Sequence, residues 1–98
     1  MKNYQPASTT ELQHMLERRN YWTRIHNNEL LCKIQASTPS KMVYGGISKI
    51  LTYYDEHIKY LCTIHQVTTK DGDIIHENVK DAFLDGIWYK EKKVKTRQ

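Results

Sequence analysis

The chain has 98 residues, enough for one domain and too few to bury more than about two-thirds of its unfolded surface. Hydrophobic residues make up 39% and charged residues 27%, and the wealth of Tyr, Trp and Ile excludes a disordered chain. A net charge of +4 suits an anionic partner, while the polar opening "MKNYQPASTTELQ" predicts neither a signal peptide nor a membrane span.

The first element expected is a helix over 6–28, "PASTTELQHMLERRNYWTRIHNN". Ser8 caps it and Glu11, three residues later, completes a capping box. Leu12, Met15, Leu16, Arg19, Trp22 and Ile25 share one face. Arg19 interrupts this stripe, so its stem should lie on the apolar face with its charge at the rim. Asn27 and Asn28 are a natural stop.

"ELLCKI" (29–34) is too short to separate a helix from a strand by pattern, and a second short helix is expected there. "QASTPSK" (35–41) has the composition of a loop, and Gly45 with Gly46 marks a turn or bulge.

From residue 47 the pattern switches to period two. "ISKILTYY", "HIKYLCTIHQVT", "DIIHENVKDAFL" and "IWYKEKK" are separated by Asp55-Glu56, by Lys70-Asp71-Gly72 and by Asp85-Gly86. Asp-Gly between alternating runs is a strong hairpin signal. The fold class expected is α+β, an N-terminal helix or two packed on a four-stranded antiparallel meander. It occupies one domain over 1–98, with a basic tail at 94–98.

The central hairpin, "IHQVTTKDGDIIHE", carries a histidine on each arm. A two-residue Asp71-Gly72 loop would pair Thr69 with Ile74, Val67 with His76, His65 with Asn78 and Ile64 with Val79. That register sends Tyr60, Cys62, Ile64, Ile75 and Val79 to the helices. Thr63, His65, Val67, His76, Asn78 and Lys80 go to the open face. His65 and His76 become diagonal neighbours, with Cβ atoms roughly 5–8 Å apart. In the last hairpin Phe83 pairs with Trp88, Asp81 with Lys90 and Lys80 with Glu91. Lys80, Tyr89 and Glu91 then join the histidine face.

Two kinds of chemistry are compatible with these residues. Histidine titrates near neutral pH, so His65 and His76 beside Lys59 and Lys80 are the candidate general acid and base for cleaving a phosphodiester. The basic end carries Lys90, Lys92, Lys93, Lys95 and Arg97, five of the fifteen Lys and Arg residues. With Lys80 these cations can neutralise phosphates, while Trp88 and Tyr89 stack a base. Cys32 and Cys62 lack metal-ligand spacing and are read as reduced, buried thiols of a cytoplasmic protein, with neither metal nor cofactor expected. "YDEH" (54–57) is read as a turn.

In element order, helices before an antiparallel meander with an open working face, the chain resembles the small metal-independent ribonucleases of the bacterial mRNA-interferase toxin type. The resemblance covers most of the chain and is one of architecture. No motif of that family matches residue by residue, so it assigns no catalytic residue here. The function expected first is a small basic binding module for nucleic acid or a nucleoprotein, a regulator or inhibitor of phage or mobile-element type. A protein partner also suits its surface. The alternative is a metal-independent ribonuclease.

Overall fold

The computed structural model describes residues 4–92. In chain order these form β1 (Tyr4–Ala7), α1 (Thr9–Arg18), α2 (Tyr21–His26), β2 (Cys32–Pro39), β3 (Ile47–Tyr54), β4 (Tyr60–Thr68), β5 (Ile74–Leu84) and β6 (Ile87–Glu91). The strands make one six-stranded sheet in the order β1-β6-β5-β4-β3-β2. β1 runs parallel to β6, and every other neighbouring pair is antiparallel.

The class is α+β, but the expected four-stranded meander is only the centre of a larger, mixed sheet. The helix expected over 29–34 is absent: that segment enters β2, which runs on through the presumed loop to Pro39. Every residue of β2 is exposed, so no alternation of polar and apolar residues marks it as a strand. Its ladder with β3 holds it, and Pro39 sits at its end on the sheet edge. β1 is similar, with three exposed residues and only Ala7 buried.

The helical segment is two helices. Ser8 caps α1: its hydroxyl accepts from the Glu11 amide, and the Glu11 carboxylate accepts from the Ser8 amide at 2.8 Å. Asn20, in the left-handed region at φ 64°, then ends the first run and redirects the chain into α2. Asn tolerates this conformation better than most residues. Leu12, Leu16 and Ile25 are buried and Met15 and Trp22 pack beside them, as the stripe predicts. Arg19 behaves as expected: it donates to the Met15 carbonyl and forms an ion pair with Asp85, tying the end of α1 to the β5–β6 turn. The core is completed by Leu51, Tyr53, Leu61, Cys62, Ile64, Val79, Ala82 and Leu84 from the sheet. α1 lies against β5 and reaches β6, so the helices occupy one face and leave the other open.

The Asp85-Gly86 turn is the two-residue loop expected, with both residues at positive φ. The other Asp-Gly turn is one residue longer. The Thr69 carbonyl accepts from Gly72, and the Thr69 amide donates to the Asp73 carbonyl. Only Gly72 has positive φ there. Thr68, and not Thr69, therefore faces Ile74. A bulge at Ile75 then restores the expected pairs of Val67 with His76, His65 with Asn78 and Ile64 with Val79. The bulge also leaves Ile75 half exposed, where a core position was expected. A second bulge, at Leu61, turns Leu61 into the core and sends Tyr60 away from its expected place there.

Candidate histidine site and aromatic platform on the open face

The open face is built in rows across the strands. One row runs Thr38, Ser48, Val67, His76, and the next runs Ala36, Ile50, His65, Asn78. Ser48, His65 and His76 are thus diagonal neighbours on three adjacent strands. Ser48 Oγ lies 2.8 Å from His65 Nε2. The imidazoles of His65 and His76 meet edge to face, with centroids 5.4 Å apart and planes at 68°. Both rings lie on the face opposite the helices, as the hairpin register implies, and both are half-buried.

The β2–β3 connection folds over part of this face. Ser40 Oγ accepts from the amides of Met42 and Val43, and the Ser40 amide donates to the Gly46 carbonyl. Gly46 is required here, because a Cβ would stand 2.5 Å from both the Thr68 carbonyl and a Val43 methyl. The folded loop buries Val67, which alternation had placed on an open, polar surface. Beside it lies a hollow of about 290 Å³ whose lining includes Lys41, Met42, Ser48, His65 and Val67. His65 is held below the ordinary histidine range, first by burial and then by the charges of His76 and Lys80, with Glu91 acting the other way. It is therefore neutral at pH 7 and free to accept a proton.

A second cluster occupies the other end of the face. Trp88 pairs with Phe83, centroids 4.8 Å apart, and stacks on Tyr60 at 5.0 Å. Tyr4 of β1 meets its edge at 6.0 Å. Tyr60 is pinned by a 2.7 Å hydrogen bond to Thr63 Oγ1. Lys90 Nζ lies 5.5 Å from the Tyr4 ring centre.

The expected binding residues are dispersed. Tyr89 packs against the hydrophobic core on the helix side, opposite Ala82, so it does not join Trp88 as a stacking surface. A bulge at Lys80 forces this: Ile64 pairs with Val79 but Thr63 with Asp81, so the facing of β5 flips beyond it. Phe83 with Trp88 then takes the open face, while Ala82 with Tyr89 takes the core. Lys80 lies 3.0 Å from Glu91 Oε1, the pair the sequence implies. Lys92 is exposed, and its amide donates to the Ala7 carbonyl. Lys93, Lys95, Arg97 and the tail at 94–98 lie outside the described residues. Lys59 stands away from the histidines, beside Arg19, Tyr21 and Asp85 in a separate hollow. "YDEH" is a turn, with Asp55 Oδ1 accepting from the His57 and Lys59 amides. Cys62 is buried as expected, but Cys32 is exposed. Ser48, Lys41 and Tyr4 carry no functional signal in the sequence, and Tyr60 reads there as a core residue. The folded β2–β3 loop, the bulge at Leu61 and the parallel β1–β6 pairing bring Lys41, Tyr60 and Tyr4 to this face.

No family model, curated protein or solved structure matches the chain. Among the described residues no helix is long and apolar enough to cross a membrane.

Proposed function

We propose that the protein binds single-stranded nucleic acid on the open face of its sheet. The observation that carries this reading is the Trp88 cluster: aromatic rings from four strands gathered on the face the helices leave uncovered, with Lys90 beside them. A base stacked on such a ring is worth about 1–3 kcal/mol, whatever its sequence. The indole is already held by Tyr60 and Phe83, so little side-chain freedom is lost on binding. A net charge of +4 supplies the attraction to phosphates.

The test is a titration with single-stranded oligonucleotides at low salt, following tryptophan fluorescence. Trp22, on the helix side, should be silent. Trp88→Ala should weaken binding by about tenfold or more. Neutralising Lys92, Lys93, Lys95 and Arg97 together should flatten the salt dependence. Wild-type affinity in Trp88→Ala, or no binding at low salt, would overturn the reading.

A further inference from the structure

The three diagonal side chains beside the loop have a geometry that nucleic-acid binding does not use. Ser48 Oγ is within hydrogen-bonding distance of His65 Nε2, and the His76 ring lies against His65 on the next strand. The hollow bordering Ser48 and His65 also has Lys41 in its wall. We propose that His65 and His76 form a site that cleaves RNA without a metal ion, with Ser48 orienting His65 and Lys41 facing the phosphate. The proposal rests on the reading that the open face receives a nucleic-acid strand.

The step needs no component beyond the strand itself. His65 takes the proton of a ribose 2′-hydroxyl, and the 2′-oxygen attacks the adjacent phosphorus. The new P–O2′ bond forms as the P–O5′ bond breaks. His76 gives its proton to the departing 5′-oxygen. The products are a 2′,3′-cyclic phosphate and a 5′-hydroxyl end, and the two histidines exchange protonation states. A lysine next to the phosphate offsets the charge that builds on its oxygens. His65, its pKa lowered by burial, is the member of the pair suited to take the proton, and the donation falls to His76, whose ring lies against it. Ser48 is a positioning residue. Its oxygen accepts from Nε2–H, which fixes the ring orientation and leaves Nδ1 as the nitrogen that takes the proton of the 2′-hydroxyl. The chemistry requires a 2′-hydroxyl, so DNA should bind but remain intact.

The experiment uses the full chain with a labelled single-stranded RNA oligomer in EDTA. A 2′-O-methyl oligomer, which cannot react this way, measures binding separately. Wild type should cut the RNA to 2′,3′-cyclic ends and leave the DNA version whole. His65→Ala and His76→Ala should each lose about 100-fold or more in cleavage. Their melting temperatures and affinities for the 2′-O-methyl oligomer should be unchanged, and the double variant should be little worse than either single one. Ser48→Ala should keep partial activity with a shifted pH profile, and Ser48→Thr should restore it. Retention of the 2′-O-methyl oligomer without any RNA cleavage overturns this proposal and leaves the binding reading intact. Failure to retain either oligomer overturns the binding reading. Cleavage that survives His65→Ala or His76→Ala, or cutting of the DNA version, overturns the assignment of these residues.

Discussion

At the scale of single residues, a third histidine has the clearest consequence. His26 Nδ1 lies 2.8 Å from the Trp22 carbonyl, and its Nε2 lies 2.8 Å from Glu77 Oε1. The other Glu77 oxygen accepts from the Gln66 amide. A carbonyl and a carboxylate both accept hydrogen bonds, so both ring nitrogens must donate and the ring is a cation. Burial pushes its pKa down, but the Trp22 carbonyl and Glu77 more than offset this and the net shift is upward. A raised folded-state pKa gives stability that is complete below the ordinary histidine value and lost as pH rises through the folded value. His65, shifted downward, has the opposite slope: its contribution is present above the ordinary value and is lost as pH falls through the folded one. The difference in melting temperature between wild type and His26→Gln therefore isolates His26. It should be largest near about pH 5 and shrink toward about pH 8.5. A constant difference over that range would mean that His26 is not protonated in the fold.

At the scale of elements, the β4–β5 hairpin shows how a turn can shift register without moving the site. The loop is one residue longer than a two-residue turn, and the bulge at Ile75 takes up the slip before His76 is reached. Gly72 holds φ +91°, with open space where a Cβ would stand. Gly72→Val therefore meets no clash and is opposed only by backbone conformation. It should destabilise by about 1–2 kcal/mol, read as a lower urea midpoint with unchanged slope. An unaltered midpoint would mean that the turn adopts another conformation. Gly46→Ala should be worse, because its Cβ would run into a backbone carbonyl that cannot swing aside.

At the scale of the whole molecule, the sheet sets the two thiols apart. Cys32 on β2 and Cys62 on β4 both face Tyr53 of the intervening β3. Two strand spacings put their backbones about 9–10 Å apart, too far for a disulfide. Cys32 is exposed at the sheet edge, while burial pushes the Cys62 thiol up. A thiol reagent should label one cysteine per native chain quickly and the second only as fast as the chain opens. Rapid labelling of both would contradict the placement of β4 at the centre of the sheet.

Much of this was legible in the chain itself. Period-two alternation and turn residues identified β3 to β6, the two-residue Asp85-Gly86 turn, the Phe83–Trp88 and Lys80–Glu91 pairs, and a common face for His65 and His76. The Ser8–Glu11 box and the stripe ending at Ile25 identified the helical region and the face it buries. These follow from local geometry, since a strand repeats every two residues and a cap acts within three. The tertiary structure decided what depends on distant partners. β1 and β2 are edge strands with almost nothing buried, so only their neighbours make them strands. The bulges at Leu61 and Ile75 reset alternation, moving Tyr60 to the open face and Ile75 out of the core. The folded β2–β3 loop buried Val67 and lined the hollow with Lys41. The contact of Ser48 with His65 joins strands that the sequence separates by a turn, and only the pairing of β3 with β4 brings the hydroxyl to the imidazole.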